Sequence, residues 1–194
     1  GKMWHKKSFL MPGIGVQTER FQPASAEKRQ ELRRTLGFAE NDFLLLYIGE
    51  FIPRKNHRFL IEAASDLVEV IPNLRLIFAG EGALLENCKA EVAERGLDPH
   101  IHFLGFRSDL ERFAAIADVG VSSSRHEGLG LGLLEQMLCG TPVVASEDKG
   151  HREFVANGET GFLFPQGGRE IFQESIMSLY RDSDLRTKLG SAAR

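Results

Sequence analysis

Glu127-Gly-Leu-Gly-Leu-Gly-Leu-Leu-Glu135 is a glycine-rich segment with a carboxylate at each end, and it continues into Gln-Met-Leu-Cys-Gly-Thr-Pro-Val-Val-Ala. Glycines at the start of a helix leave backbone N–H groups open at its positive end, which is a ready site for phosphate. At about 3.6 residues per turn, Glu135 is expected about two turns beyond Glu127 and on the same side of the coil. Phosphate-binding amides flanked by two carboxylates, which bind hydroxyl groups, suit a nucleotide sugar.

The composition is that of one globular domain. At 194 residues the chain is long enough for one well-formed core and too short for two domains of ordinary size. Hydrophobic residues make up 42% and charged residues 26%, and the formal net charge is −3. That charge gives no general attraction to nucleic acid or to an anionic membrane, so partners must be recognised by a local site.

Cysteine usage and hydropathy predict a cytoplasmic protein. Cys88 and Cys139 have no CxxC spacing, so neither a metal site nor a redox pair is indicated, and a reducing compartment is the simpler inference. No apolar run approaches the roughly 18 residues of a membrane span, so we expect no membrane insertion by this domain. The first residues lack the long apolar core of a secretory signal.

Six short apolar runs of strand length alternate with helical segments. The runs are dense in Val, Ile, Leu and Phe and bounded by Gly, Pro, Asn or Ser, which is typical of buried parallel strands. They lie at 43–48, 74–78, 101–104, 119–121, 143–145 and 162–164, with helices predicted between them at 57–70, 84–95, 110–117 and 131–138. This alternation predicts an α/β fold with a doubly wound, mainly parallel, Rossmann-like sheet.

The ends of the chain differ from this pattern. Residues 1–24, with turn-forming Pro and Gly around Met11 to Val16, are expected to be an inter-domain connector without a core element. Residues 25–194 are expected to form the globular domain that contains the predicted nucleotide-sugar site. Amphipathic helices are predicted at 175–180 and 185–189, and both ends of the chain resemble cuts in a longer protein.

Five motifs, taken in order, resemble those of family 4 glycosyltransferases. They are Pro12-Gly-Ile-Gly-Val16, Tyr47-Ile-Gly-Glu-Phe-Ile-Pro-Arg-Lys-Asn-His57, Phe103-Leu-Gly-Phe106, the block 127–145, and Asn157-Gly-Glu-Thr-Gly-Phe-Leu163. The resemblance covers nearly the whole chain and implies the C-terminal, donor-binding half of a two-domain type B (GT-B) enzyme. Its most specific part is the block 127–145. The Lys149-Gly-His151 variant resembles enzymes of bacterial capsule or exopolysaccharide assembly.

This resemblance implies a role for each carboxylate of the glycine-rich segment. Glu135 would hydrogen-bond the ribose hydroxyls, and Glu127 would face the donor sugar as a catalytic-site residue. A carboxylate accepts both hydroxyl hydrogens of a vicinal diol, in charge-assisted bonds roughly twice as strong as neutral ones. An ordinary acid at a positive helix end competes evenly as an explanation of Glu127. For Glu135, which lies between Leu133-Leu134 and Met137-Leu138, a solvated role is less natural.

The backbone between these carboxylates is expected to bind the donor as well. By resemblance, Gly128, Leu129, Gly130 and Leu131 would present N–H groups to the phosphates or the sugar. Glycine permits close approach and positive φ, so close packing of helix on strand is the structural alternative. The family usually has Phe at position 129 and Pro at position 132, whereas this chain has Leu129 and Gly132.

The segment Gly49-Glu-Phe-Ile-Pro-Arg-Lys55 is the second donor-binding candidate. In the family an arginine follows the glycine, and a lysine five residues later joins it in gripping the diphosphate. This chain keeps Lys55 but has Glu50 at the arginine position, where it cannot serve as a phosphate cation. We expect Lys55 to be the principal cation and a catalytic residue. Arg54 is at most a helper, because neighbouring side chains at a helix start point differently, and an ordinary solvated charge is its favoured alternative.

The third candidate is Phe103-Leu-Gly-Phe-Arg107. The resemblance places the nucleotide base here, read by backbone groups around Phe106 and Arg107, while the Phe106 ring itself is expected in the core. No pair of histidines has helical metal-binding spacing with a helper acid, so neither a protein-bound metal nor a cofactor is expected. His126 is a secondary candidate for a donor contact, and His151 is expected to be a structural cap.

These features and the family resemblance predict a glycosyltransferase of polysaccharide biosynthesis that uses a nucleotide-diphosphate sugar, with UDP-sugar favoured. The resemblance alone implies a retaining enzyme. Its partners would be that donor and an N-terminal acceptor domain outside this chain. The isolated chain would bind the donor without transferring sugar. A lipid-linked acceptor would bring the full enzyme to the inner face of the membrane.

Two alternatives stay open. They are a sugar-nucleotide epimerase or hydrolase on the same fold, and a degenerate nucleotide-sugar-binding regulatory module, which Glu50 suggests. A dehydrogenase is disfavoured because the turn from Gly49 to Asn56 lacks G-x-G-x-x-G.

Overall fold

The computed structural model describes residues 15–194, and it contains one sheet of six parallel strands. The strands are β1 (Phe43–Ile48), β2 (Leu74–Ala79), β3 (Ile101–Phe103), β4 (Val119–Ser122), β5 (Val143–Ser146) and β6 (Gly161–Phe164). Their order in the sheet is β3-β2-β1-β4-β5-β6, and every neighbouring pair is parallel. The predicted doubly wound parallel sheet is confirmed, and each strand ends within one residue of its predicted limits.

In the described part of the chain, seven α-helices cover the sheet. They are α1 (Ala26–Thr35), α2 (His57–Leu67), α3 (Leu85–Glu94), α4 (Leu110–Ala114), α5 (Leu131–Leu138), α6 (Arg169–Arg181) and α7 (Ser183–Ala193), with 3-10 turns at Pro53–Lys55 and His151–Glu153. Two predicted helices end early: α2 at Leu67 instead of residue 70, and α4 at Ala114 instead of residue 117. Residues 68–70 form a turn instead, before Pro72, which disfavours helical geometry in Ile71. Within residues 15–194, no helix combines the length and the apolarity needed to cross a bilayer.

Side chains of β1 alternate between two cores, one on each face of the sheet. Leu45 and Tyr47 lie in the cluster that includes residues of α2, α3 and α6. Leu44 and Leu46 lie in the cluster that includes residues of α1 and α4. This alternation follows from the two-residue period of a strand, and it explains why β1 is apolar at every position.

Phe21 belongs to the second core, although it lies in the predicted connector. Its side chain is 2% exposed. The prediction that residues 1–24 contribute no core element is therefore wrong for Phe21. Residues 1–14, which include most of the Met11 to Val16 segment, lie outside the described part of the chain.

Helix α1, which the sequence pattern did not predict, is tied to the sheet by a charge network around Asp118. The Asp118 carboxylate pairs with Arg29 and with Arg33 at 2.8 Å each, and it accepts the Leu44 N–H at 2.7 Å. Because the Arg33 side chain is only 6% exposed, its charge needs this compensation. Ser25 caps the start of α1 by accepting the Lys28 N–H at 3.2 Å.

Candidate functional site

A cleft of about 560 Å³ opens at the carboxyl edge of the sheet, beyond β1 and β2. Ligands of doubly wound sheets bind at this edge. Gly49, Phe106 and Arg107, three of the predicted donor-binding residues, line the cleft together with Glu50 and Glu81. The structure therefore brings the start of the second candidate segment together with the third, whereas Lys55 lines a separate small cavity with Glu127 and Gly130.

Glycines form the floor of this cleft because the loops after β1 and β2 touch through their backbones. Gly80 and Gly82 have φ of 149° and 146°, a region that favours glycine. A Cβ on Gly80 would overlap the Gly49 carbonyl oxygen, and one on Gly82 would lie 2.6 Å from the Phe51 carbonyl oxygen. A side chain at either position would force the two loops apart.

Phe106 lies at the surface of the cleft, with 76% of the residue exposed. The prediction that its ring belongs to the core is wrong, because β3 ends at Phe103 and Phe106 lies in the loop beyond it. Arg107 pairs with Asp109 at 2.7 Å, and its guanidinium lies 5.3 Å from the centre of the Phe113 ring. The cleft thus offers an open aromatic face beside a guanidinium that is already paired.

Lys55 and Glu127, the two predicted catalytic residues, form an ion pair between Lys55 Nζ and Glu127 Oε1. Their side chains are 14% and 8% exposed. Burial alone raises the pKa of Glu127, but hydrogen bonds from Lys55 and Ser124 outweigh it and hold the pKa below its ordinary value. Glu127 is therefore a carboxylate at neutral pH.

Arg54 contacts the same carboxylate as Lys55. Arg54 Nη1 lies 3.4 Å from Glu127 Oε2 and donates to the His126 carbonyl at 3.2 Å. The expectation that Arg54 and Lys55 point differently is wrong, because both belong to one 3-10 turn that packs beside residue 127. The Arg125 N–H donates to the Arg54 carbonyl at 2.7 Å and fixes that turn to the loop after β4.

Glu127 and Glu135 do not lie on one helical coil, so the predicted two-turn relation is wrong. Helix α5 begins at Leu131, and Gly130 before it has a left-handed φ of 62°, which interrupts any helix running from Glu127. Glu135 lies inside α5 and is half-buried. Burial raises the pKa of Glu135, and the charge of Arg20 partly opposes this rise.

The predicted amide loop, Gly128 to Leu131, runs from Glu127 into the first residue of α5. Leu129, where the family usually has Phe, is 41% exposed. A Cβ on Gly130 would lie 3.2 Å from the His151 ring, whereas one on Gly128 would meet nothing within 4 Å. At Gly132 the structural alternative holds, because a Cβ there would lie 2.8 Å from the Ile48 carbonyl oxygen, where α5 packs against β1.

Sequence reasoning missed Asp148 and misjudged His151. The His151 ring is fully buried and makes no capping hydrogen bond, so the predicted cap is wrong; its Nδ1 lies 2.8 Å from the Ser146 carbonyl oxygen. Asp148 supplies the side-chain acceptor instead, for the N–H groups of Glu127 and His151. An acid three residues before a turn is a weak sequence signal of such bonding. Among residues 15–194, no three His, Cys, Asp or Glu side chains group as metal ligands.

Comparison with known proteins identifies the family. Residues 28–194 match the model of the family described as glycosyl transferases group 1. The putative glycosyltransferase EpsD of Bacillus subtilis (strain 168) is 45% identical over 182 residues, which are 94% of this chain and 48% of that protein. The chain spans about half the length of the curated relatives it matches.

Solved structures agree in fold. HepE of Anabaena, solved in complex with UDP, superposes with a TM-score of 0.83 at 27% identity, over 92% of this chain and 50% of that one. The C-terminal domain of LpcC, a group 1 family protein of Francisella tularensis, gives a TM-score of 0.82 at 27% identity, over 92% of this chain and 94% of that one. The chain is thus a member of the group 1 glycosyltransferase family and corresponds to the C-terminal domain of its GT-B enzymes.

Proposed function

We propose that this chain binds a nucleoside diphosphate sugar, with uridine diphosphate favoured, as the donor half of a retaining glycosyltransferase of capsular or exopolysaccharide biosynthesis. The observation that carries the proposal is the Lys55–Glu127 ion pair, which joins a cation and a carboxylate in a cavity that Gly130 of the amide loop also lines. HepE, with a similar fold, has been solved with UDP and with UDP-glucose, which supports a uridine-linked donor.

In this proposal the ion pair is exchanged when the donor binds. The diphosphate takes the Lys55 ammonium, and Glu127 is released to accept hydroxyl hydrogens of the sugar. Negative charge grows on the departing diphosphate as the glycosidic bond breaks. Once the donor is bound, Lys55 and the backbone N–H groups at the start of α5 stabilise that charge, because they already contact the diphosphate before the bond breaks.

The acidic side chains of the cleft increase the demand on Lys55. Glu50 is exposed and, like Glu81, belongs to the cleft lining, so both oppose the approach of a diphosphate. Arg107, a cation of the same lining, is engaged by Asp109. Lys55 is accordingly the principal phosphate cation of the proposal, and Arg54, which shares its carboxylate partner, is its helper.

The other half of the enzyme would supply the acceptor site, since the chain covers 48% of EpsD. We place the full enzyme in the cytoplasm, at the inner face of the membrane if its acceptor is lipid-linked, and we propose neither a protein-bound metal nor a nucleic-acid partner. A regulatory module that binds nucleotide without catalysis is the second candidate, because Glu50 stands where a phosphate cation is expected.

Lys55→Met should weaken binding of uridine diphosphate about tenfold or more, because it removes a charge-assisted bond to phosphate worth about 1.5–3 kcal/mol. Calorimetric titration with the diphosphates of uridine, guanosine and adenosine measures this loss and identifies the base. In Lys55→Met the Glu127 carboxylate is left unpaired and would repel the diphosphate. The double variant Lys55→Met with Glu127→Gln removes that charge as well, and so it measures the loss of the lysine's attraction alone. Lys188→Ala, at an exposed lysine on α7, is the matched control. Unchanged affinity in Lys55→Met would contradict the assignment.

Glu135→Ala should abolish discrimination between uridine diphosphate and its 2′-deoxy analogue. We expect the wild-type chain to prefer the ribose form about tenfold, because a carboxylate bond to a hydroxyl is lost in the analogue. Competition binding with the two nucleotides gives this ratio, and Glu174→Ala on α6 serves as control at an exposed acid. A preference that survives in Glu135→Ala would remove this residue from the ribose site.

Phe106→Ala should weaken the binding of all three nucleoside diphosphates by about 1–3 kcal/mol if the exposed ring stacks on the base, while Phe106→Trp should retain binding. The matched control is Ile171→Ala, at an apolar residue on α6 that is 44% exposed. Equal affinities of the Phe106→Ala and wild-type chains would leave base recognition to the backbone around residues 106 and 107.

The chain alone should transfer no sugar. We expect radiolabelled UDP-sugars to bind the 194-residue chain without incorporation into acceptor lipid, whereas the full-length protein incorporates label. The physical reason is that the acceptor and part of the catalytic centre belong to the other half. Comparable incorporation by chain and full-length protein would refute this expectation, and a full-length protein that binds nucleotide but transfers from no donor would favour the regulatory module.

A further inference from the structure

The loop that carries Glu127 rests on the turn that follows β5. A Cβ added to Gly150 would lie 2.6 Å from the Glu127 carbonyl oxygen and 2.9 Å from its carbonyl carbon. These distances exclude any side chain at position 150 without movement of one backbone. The turn and the loop are therefore in direct backbone contact, next to the Lys55–Glu127 pair.

Asp148 joins the two segments with both oxygens of its carboxylate. Its Oδ2 accepts the Glu127 N–H, and its Oδ1 accepts the His151 N–H at 2.8 Å. The Asp148 side chain is 6% exposed, so water competes little for these bonds. A carboxylate can accept two N–H groups at once, and its charge makes both bonds stronger than neutral ones.

His151 supports the other end of the same loop. Its ring is fully buried, and because a carbonyl oxygen only accepts, Nδ1 must donate to the Ser146 carbonyl at 2.8 Å. This bond fixes the orientation of the ring. A Cβ on Gly130 would lie 3.2 Å from the ring, so the ring packs directly against Gly130. Asp148 thus holds the loop at Glu127, and His151 holds it at Gly130.

We infer that Asp148 is a positioning residue of the donor site, which fixes the backbone at Glu127 and thereby directs the Glu127 carboxylate to Lys55. The part of this inference that concerns the donor sugar rests on the proposed function. The part that concerns the position of Glu127 does not, because it requires no ligand.

The pKa of Glu127 distinguishes a positioning role of Asp148 from a purely electrostatic effect of its charge. The charged groups that face Glu127 are Lys55, Arg54, Asp148 and His151, the last when protonated. Removing the Asp148 charge alone would lower the pKa of Glu127, since a negative neighbour disfavours a second carboxylate. Losing the Lys55 contact would raise the pKa of Glu127. The two effects have opposite signs.

The first experiment is a ¹³C NMR titration of the Glu127 carboxyl group in the ligand-free chain, for the wild type and Asp148→Asn. The variant keeps the size of the side chain, but its amide group cannot accept the second N–H. We expect the pKa of Glu127 to rise, and an unchanged or lowered pKa overturns the inference. The control Glu147→Gln removes an adjacent carboxylate that pairs with Arg152 at the surface, and it should not raise the pKa.

A measurement on the wild-type chain covers the case in which Asp148→Asn does not fold. The amide hydrogens of Glu127 and His151 should exchange with solvent at least on the order of 100-fold more slowly than unstructured amides, because Asp148 holds both. Rapid exchange at Glu127 overturns the inference whatever the variant does.

A third experiment compares the affinities of the chain for UDP-glucose and for UDP. Asp148→Asn should reduce the ratio of these affinities about tenfold, because Glu127 is proposed to contact only the sugar. A general loss of protein stability would weaken the binding of UDP-glucose and of UDP by the same factor. An unchanged ratio in a chain that binds both overturns the assignment to the donor site. If the wild-type chain binds neither, the proposed function fails, and the Glu127 titration alone decides the positioning.

Discussion

The ion pair between Lys55 and Glu127 depends on the order of the strands. Lys55 follows β1 and Glu127 follows β4, and these strands are neighbours although β2 and β3 separate them in sequence. The direction of chain progression reverses between β1 and β4, and sheets of this class bind their ligands at such a point. The ion pair joins the loops that follow these two strands.

Close backbone contacts join the loops around the site. The loops after β1 and β2 touch at Gly80 and Gly82, α5 touches β1 at Gly132, and the turn after β5 touches the loop of Glu127 at Gly150. Each contact removes a side chain from the interface and leaves polar backbone at the surface of the site. The shape of the site is therefore determined mainly by backbone atoms.

The sheet could be predicted from sequence because parallel strands are buried on both faces and read as continuous apolar runs. Helix α1 escaped that approach, since Leu32 and Arg33 are its only buried residues and the arginine is stabilised by Asp118, far away in sequence. The family motifs predicted Lys55 and Glu127 as site residues, but they did not predict that the two side chains contact each other. Asp148 was missed because it binds a backbone amide 21 residues away, which no side-chain pattern records.

The burial of Phe21 has a mechanical consequence. Phe21 packs in the same core as Leu32 of α1 and Phe113 of α4, and Arg20 beside it pairs with Glu111. The segment before α1 is therefore bound to the body of the domain from residue 20 onward. Any motion of the chain before Arg20 relative to this domain would therefore leave the segment from Arg20 to α1 in place.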